Sequence, residues 1–198
     1  MPPRRVRWIG RFLSLIARVP WLWALFRGPV QRFWNRNAGS WDANESPGRV
    51  QSLRAGIEAV GEPARILEIG SGTGSGTALL KARFPSAEVT GVDLSPEMVR
   101  IAQAKVQGVS FEPADASRLP FPDGSFDLVA QNNVPVYFGE LGRVLTPGGR
   151  ALITSTFGPA TPYYTPHSVL RRRFAKLGFT ELRSEQSPPG DWFLATKA

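Results

Sequence analysis

The sequence predicts an α/β fold built on a mostly parallel sheet with helices on both faces. Strand-like apolar runs alternate with helix-like segments from residue 48 to the end of the chain. The first of these runs, "RILEIG" at residues 65–70, stops at a glycine-rich turn. The last two runs are joined only by "PPG" at residues 188–190, a link that permits a hairpin but not a parallel crossover. We therefore expect the final strand to run antiparallel to its neighbour.

Each element follows from its own local pattern. Ser95, followed by Pro96 in the first turn, predicts a capped helix over residues 96–106. The turn signal "TPGG" at residues 146–149 precedes the fifth strand. The expected helices are 48–60, 75–83, 96–106 and 166–177, and the expected strands are 65–70, 87–94, 109–115, 125–132, 149–157, 179–186 and 191–197.

Charge divides the 198 residues into a basic arm, residues 1–45, and a domain, residues 46–198. Eight arginines and no acidic residue precede Asp42, whereas sixteen basic and sixteen acidic residues follow from there on. Five of the six tryptophans also precede Asp42. The chain has no cysteine and a single histidine, which excludes thiolate chemistry and argues against a zinc site, so no metal is predicted.

The start of the arm predicts an amphipathic helix that ends at Pro20 and carries a narrow cationic stripe. The stripe consists of Arg4, Arg7, Arg11, Ser14 and Arg18. A break is expected at Gly28-Pro29. No apolar segment reaches the roughly 18 residues needed to span a bilayer, and no secretory signal is recognisable. We therefore expect a cytoplasmic protein.

Two interpretations of residues 1–28 stay open. Tryptophans with an arginine stripe suit peripheral contact with an anionic membrane surface. The same residues suit a helix that packs over the domain as a lid. For residues 31–45 the lid is favoured, because "WNRNAGSWDAN" resembles an aromatic-aspartate segment that closes over a cofactor. An arm that binds RNA is the third alternative.

The glycine turn narrows the class of ligand. Gly70, Gly72 and Gly74 follow the first strand, where glycine lets the backbone approach a ligand closely. The dinucleotide fingerprint needs a further glycine five residues after the first, but Ser75 and Thr77 stand at those positions. No Lys-Ser or Lys-Thr pair follows either. A pyrophosphate or triphosphate ligand is therefore not expected.

Three carboxylates are expected at the same edge of the sheet. Glu68 precedes the glycine turn, Asp93 ends the second strand where it can accept ribose hydroxyls, and Asp115 follows the third strand. Such a set suits an adenosine compound with a positive group and suits phosphates poorly. That description fits S-adenosylmethionine, whose sulfonium and ammonium are both cations.

The sequence also resembles a known family. "ILEIGSGTGSGT", "VTGVDLSPEMVRIAQ", "PADASRLPFPDGSFDLV" and "LGRVLTPGGRALI" look like consecutive motifs of class I S-adenosylmethionine-dependent methyltransferases, over roughly residues 64–154. More narrowly they resemble the UbiE-like group, also called methyltransferase type 11. The resemblance implies a Rossmann-like fold, a seven-stranded sheet with a C-terminal antiparallel hairpin, and S-adenosylmethionine as cofactor.

The resemblance also implies roles for individual residues. Gly70, Gly72 and Gly74 would line the methionine part of the cofactor, and Asp93 would hold its ribose. Leu94 and Met98 would flank the adenine, Asp115 and Ala116 would meet its edge, and Gln131 would face the sulfonium side. The expected cofactor-binding residues are Glu68, Gly70, Ser71, Gly72, Gly74, Asp93, Leu94, Met98, Asp115, Ala116 and Gln131.

Catalytic groups are less well defined by the sequence. A base helps if the acceptor is a hydroxyl or an amine, and His167 and Tyr137 are the candidates, without an assignment. His167 is equally suited to a helix start or a surface position. Tyr137, Tyr163 and Tyr164 are candidates to line an acceptor pocket, or simply to pack at the rim of the sheet.

Two departures from the family concern the acceptor. Residues 126–147 are unusually short, because "NNVPVYFGE" replaces a longer stretch that usually carries a helix. Analogy with quinone methyltransferases is weakened there. Only a fragment of a nucleobase-methylation motif follows Asn132, which argues against DNA or RNA as acceptor.

We expect methyl transfer to O, N or C of a small hydrophobic molecule. The alternatives are a nucleic-acid methyltransferase that uses the basic arm and a non-catalytic scaffold.

Overall fold

The computed structural model describes residues 19–44 and 48–198. The predicted cationic helix of residues 1–18 therefore lies outside the described residues. The helices are α1 (Pro20–Asn37), α2 (Gln51–Ile57), α3 (Ser75–Arg83), α4 (Pro96–Lys105), α5 (Phe138–Val144) and α6 (His167–Lys176). The strands are β1 (Arg65–Ile69), β2 (Glu88–Asp93), β3 (Ser110–Pro113), β4 (Phe126–Asn132), β5 (Leu145–Ser155), β6 (Phe179–Ser187) and β7 (Gly190–Lys197). Three short 3₁₀ helices, Ala38–Ser40, Asp42–Asn44 and Gly158–Ala160, complete this part of the chain.

The strands form one seven-stranded sheet in the order β3-β2-β1-β4-β5-β7-β6. Strands β1 to β5 pair in parallel, whereas β7 lies between β5 and β6 and is antiparallel to both. The predicted α/β class and the C-terminal antiparallel hairpin are confirmed. The order reverses beside β1, so the carboxyl ends of β1 and β4 flank a crevice where ligands bind in open α/β sheets.

Alternating side chains fill a core on each face of the sheet. In β7, Phe193 packs with helices α5 and α6 on one face, while Trp192 and Leu194 pack with α2 and α3 on the other. In β1, Leu67 and Ile66 divide in the same way. A strand buried on both faces reads as a continuous apolar run, which is why "RILEI" and "WFLA" carried a strong strand signal.

Helix α1 corrects the expected break at Gly28-Pro29, because the helix continues through Pro29 to Asn37. Proline removes one backbone hydrogen bond but its fixed φ is compatible with a helix. Contacts with the domain offset that loss. The Trp23 indole donates to the Asp115 carboxylate at 3.0 Å, and the Gln31 amide donates to the Leu94 carbonyl at 2.9 Å.

Two elements that follow β4 in the chain differ from the sequence-based expectation. Strand β5 begins at Leu145, so "TPGG" lies within the strand as an irregularity, and the Thr146 hydroxyl donates to the Phe126 carbonyl at 3.2 Å. The short helix α5 was not predicted. Its two buried side chains, Leu141 and Val144, are too few to produce a helical period in the sequence.

Within residues 19–44 and 48–198, no helix combines the length and the apolar character that crossing a bilayer requires.

The packing of Phe174 yields a testable prediction about the fold. Its ring is fully buried and stacks on Phe193, with 5.7 Å between ring centroids. Phe174→Ala should lower the free energy of unfolding by about 3–5 kcal/mol, because a large cavity remains in the core. Urea denaturation measures this change. The control Leu177→Ala, at an exposed position just after the same helix, should change stability by no more than about 0.5 kcal/mol. Equal losses in the two variants would contradict the assigned core.

Candidate active site

A cavity of about 750 Å³ lies at the carboxyl ends of β1, β2 and β4. Ligand pockets in proteins typically measure about 300–1,000 Å³, so this one lies toward the upper end. The ionisable side chains in its lining include two carboxylic acids, Glu68 and Asp93, and one arginine, Arg49. The remaining lining comes from the glycine turn, aromatic side chains of the arm and apolar residues around Val134 and Phe157.

The glycine turn brings bare backbone to the wall of this cavity. The N–H groups of Gly70 and Ser71 both donate to the Val92 carbonyl, at 2.8 and 3.0 Å, which joins the ends of β1 and β2. Gly70 has a φ of 76°. A Cβ there would lie 2.3 Å from Val134 Cγ1, so no other residue fits unless the loop after β4 that carries Val134 moves.

Glu68 is held beneath the turn and is 2% exposed. The Thr77 hydroxyl donates to its carboxylate. A Cβ on Gly76 would lie 2.1 Å from Glu68 Oε1, so the glycine at the start of α3 makes room for this acid. Burial raises the pKa of Glu68 to about 8, the Thr77 hydrogen bond lowers it, and the neighbouring Asp93 charge raises it. At neutral pH Glu68 is therefore mostly protonated, and a cation in the cavity would favour its ionised form.

Asp93 is oriented by two backbone donors. The Gly72 N–H donates to Oδ2 at 3.0 Å, and the Ser95 N–H donates to Oδ1 at 2.9 Å. Burial raises the pKa of Asp93, and these two hydrogen bonds oppose that rise. The carboxylate is thus fixed at the cavity wall with a lone pair on each oxygen still free to accept from a ligand hydroxyl.

Most of the residues singled out by the sequence come together at this cavity. Those in its lining are Glu68, Gly70, Ser71, Gly72, Asp93, Leu94, Met98 and Ala116. Ser95 caps α4 as expected, accepting from the Met98 N–H at 3.2 Å, which places Met98 in the first turn facing the cavity.

Three expected site residues are not part of the lining. Gly74 packs α3 against α4, since a Cβ there would lie 2.9 Å from Val106 Cγ2. Asp115 accepts from the Trp23 indole and from the Ser117 N–H, the latter at 2.9 Å. Gln131 is 1% exposed, and neither atom of its amide has a hydrogen-bond partner within the described residues.

The arm supplies one wall of the cavity. Trp34 and Trp41 line it and pack edge to face, with 5.2 Å between ring centroids. Trp41 also lies under the Arg49 guanidinium, 4.0 Å from the ring centroid. Next to it, the Thr73 hydroxyl of the glycine turn donates to Asp42, and Lys105 Nζ donates to the same carboxylate at 2.9 Å.

The cavity lining also includes Trp23 and Val30 of the arm. The lid interpretation of residues 1–28 allowed for Trp23 without naming it, whereas Val30 was not expected at the site. The sequence does contain a pattern that places these residues beside Trp34. Positions 23, 30 and 34 are separated by seven and four residues, which puts them on one face of a helix. The expected break at Gly28-Pro29 concealed this face.

The lining also includes residues that follow β4 and β5 in the chain, namely Pro135, Tyr137, Phe157, Pro162 and Tyr163. The Tyr137 hydroxyl is buried without a hydrogen-bond partner in the described chain, and its ring lies 6.1 Å from that of Trp23. Burial raises the pKa of Tyr137 well above its ordinary value, and the Asp115 charge adds to this rise. Tyr137 therefore offers a hydrogen-bond donor at neutral pH, which makes it a poor base.

His167, the other candidate base, does not line the large cavity. Its Nε2 lies 3.4 Å from Oδ1 of Asp191, which is 2% exposed. Tyr164 lines, with His167, a much smaller cavity behind Tyr163. The described residues contain no cluster of histidine and carboxylate side chains that would hold a metal ion.

Comparison with known proteins agrees with the fold. Residues 66–149 match a family model described as "Methyltransferase domain". The chain is 46% identical over 102 residues to a demethylmenaquinone methyltransferase of Thermus thermophilus, a match that covers 46% of each protein. It is 40% identical over 122 residues to a malonyl-[acyl-carrier protein] O-methyltransferase of Methylococcus capsulatus, covering 56% of this chain and 44% of that protein.

A solved structure shows the same fold over most of the chain. It is the 1,6-didemethyltoxoflavin-N1-methyltransferase of Burkholderia thailandensis with bound 1,6-didemethyltoxoflavin and S-adenosylhomocysteine. The TM-score is 0.65 at 23% identity, and the match covers 88% of each chain.

The sheet order, the glycine turn and the matched residues 66–149 are similar to those of class I S-adenosylmethionine-dependent methyltransferases. Within the class, the chain is similar to the demethylmenaquinone methyltransferases, as the UbiE-like resemblance implied. It spans about half the length of the curated relatives it matches.

The pKa of Glu68 predicts how stability depends on pH. Above pH 4.5, the usual pKa of glutamic acid, the unfolded chain loses this proton, whereas the folded protein keeps it up to about pH 8. Stability should therefore fall between these values by up to about 1.4 kcal/mol per pH unit. Glu68→Gln cannot ionise and should remove that part of the slope. Urea denaturation at several pH values measures it.

The control for this experiment is Glu185→Gln on the exposed side of β6, which should keep the slope of the parent protein. If Glu68→Gln kept it as well, a neutral Glu68 would be contradicted.

Proposed function

We propose that the protein transfers a methyl group from S-adenosylmethionine to an O, N or C atom of a small hydrophobic molecule. One observation carries this proposal. The lining of a single cavity includes the glycine turn, the buried Glu68 and part-buried Asp93 carboxyl groups, and aromatic and apolar residues that follow β4 and β5, among them Tyr137 and Tyr163. Such a cavity suits a cationic adenosine cofactor beside a second, uncharged molecule.

The residues present fit the cofactor. Glu68 would face its ammonium group, the backbone of Gly70 and Gly72 would border the methionine part, and Asp93 would accept from the ribose hydroxyls. Leu94, Met98 and Ala116 would surround the adenine. The missing Cβ of Gly70 leaves room for Val134 at the cavity wall, and the pair of acids matches the positive charge of the cofactor.

The bound cofactor would supply a methyl group already activated by the sulfonium. The task of the protein is then to orient the acceptor in line and to exclude water. Trp34 and Trp41 would serve the second purpose, since they close one side of the cavity. Tyr137 would orient a polar atom of the acceptor as a hydrogen-bond donor, because its buried hydroxyl has no other partner in the described chain.

The arm, residues 1–45, would act as a lid on the methyltransferase domain, residues 46–198. Support comes from the cavity lining, which draws on both parts. We also propose peripheral contact with an anionic membrane surface through residues 1–28, which is supported by the charge of the arm. Such contact would suit a hydrophobic acceptor that resides in lipid.

Calorimetric titration with S-adenosylmethionine tests the cofactor site. The parent chain should bind it, and Asp93→Ala should weaken binding by about 10- to 100-fold, because hydrogen bonds to a charged group contribute about 1.5–3 kcal/mol. The matched control Asp127→Ala, at the opposite end of β4, should leave the affinity unchanged. Absence of binding in the parent chain would favour a non-catalytic scaffold instead.

Transfer itself is tested with radiolabelled S-adenosylmethionine and a panel of lipid-soluble metabolites. Label should appear in at least one organic-phase product. Tyr163→Ala should lower transfer without loss of cofactor affinity, because Tyr163 lines the cavity and we assign it to the acceptor rather than to the cofactor. Label that enters only nucleic acid, supplied in parallel, would contradict a hydrophobic acceptor.

A further inference from the structure

Helix α1 has two faces of opposite character. Trp23, Val30 and Trp34 point into the cavity. The opposite face carries Trp21 and Leu25, which are 69% and 66% exposed. Arg32 and Arg36 continue that outer face at helical spacing and are also exposed. We call these four residues, Trp21, Leu25, Arg32 and Arg36, the outer face of α1.

The helix depends on what it packs against. It contains Gly28 and Pro29 in its interior, and it lacks a side-chain N-cap hydrogen bond within the described chain and an acid in its first turn. In a helix interior, glycine costs about 1 kcal/mol and proline about 3 kcal/mol relative to alanine, so α1 depends on packing for its stability. Its inner contacts hold it: Trp23 with Asp115 at 3.0 Å, and the Ser95 hydroxyl with Asn35 Oδ1 at 2.5 Å.

The chemistry of the outer face suits an anionic lipid surface. Indole and leucine side chains enter the interface between headgroups and acyl chains, and arginines attract anionic headgroups. Residues 1–41 contain no acidic residue that would oppose this attraction. A large exposed tryptophan beside a leucine is also costly to leave in water, so the face favours a partner that is both apolar and negative.

We propose that the outer face of α1 docks on anionic lipid and that docking strengthens cofactor binding at the cavity, an inference that rests on the proposed function. Lipid would contact the outer face of α1, and the cofactor would lie beneath the face that lines the cavity. Each ligand therefore favours the folded helix packed on the domain. The ligand that binds first orders helix α1. The second ligand then binds with a smaller loss of conformational entropy. The linkage is reciprocal, so the cofactor must also strengthen lipid binding.

The experiment uses the full chain, S-adenosylhomocysteine as the titrant, and vesicles of pure phosphatidylcholine or of equimolar phosphatidylcholine and phosphatidylglycerol. The chain should co-sediment with the anionic vesicles only. Those vesicles should also lower the dissociation constant of S-adenosylhomocysteine by about fivefold or more, the usual lower range of coupling between sites. Calorimetry measures this constant without any acceptor.

Two outer-face variants separate the contributions. Trp21→Ser with Leu25→Ser removes the apolar part, and Arg32→Gln with Arg36→Gln removes the charge. Both should lose co-sedimentation and the vesicle effect while keeping the affinity measured in buffer. The matched control, Arg172→Gln with Lys176→Gln on α6, removes equal charge from an exposed surface elsewhere and should behave as the parent chain.

Several results would overturn the proposal. They are failure to co-sediment with anionic vesicles, co-sedimentation with unchanged cofactor affinity, co-sedimentation that survives in both outer-face variants, and equal loss in the α6 control. Absence of S-adenosylhomocysteine binding in buffer and with every vesicle would overturn the proposed function itself and this inference with it. A chain that binds S-adenosylhomocysteine in buffer but ignores vesicles would overturn this inference and the proposed membrane contact of residues 1–28, and would leave the proposed methyl transfer standing.

Discussion

The site depends on how closely side chains pack against the glycine turn after β1. Glycine at position 76 leaves room for the Glu68 carboxyl, and glycine at position 70 leaves room for Val134. The Glu68 carboxyl is consequently buried, and the neighbouring Asp93 carboxyl is part-buried, so burial raises the pKa of both acids. A cationic ligand relieves that cost. The preference for a positive cofactor therefore follows from how tightly the turn packs.

The arm and the domain build the cavity jointly. Trp34 and Trp41 cover the crevice that the sheet leaves open beside β1, and the Asp42 carboxylate joins the arm to Thr73 and Lys105. A covered crevice keeps water from the reacting atoms and strengthens each electrostatic interaction inside it. Helix α1 contributes Trp34 to the cavity and exposes Trp21 and Arg32 on its other side. One helix therefore links the surface of the arm to the interior of the site.

Local patterns were sufficient for the sheet but not for contacts between distant segments. Alternation of strands and helices predicted the α/β class, and the short link before Gly190 predicted the antiparallel end. The break expected at Gly28-Pro29 was wrong, because packing on the domain outweighed a local helix-breaking signal. The partners of Asp115 and His167, which are Trp23 and Asp191, lie 92 and 24 positions away in the sequence, and no spacing rule connects them.

Proton release on cofactor binding tests the central claim most directly. Titration of the full chain with S-adenosylmethionine at neutral pH, in buffers of different ionisation enthalpy, counts the protons exchanged. If a buried, neutral Glu68 receives a cationic cofactor, its pKa falls from about 8 and protons are released on binding. Glu68→Gln should bind with much less release. Binding without proton release in the parent chain, or with undiminished release in Glu68→Gln, would contradict the role of this carboxyl group.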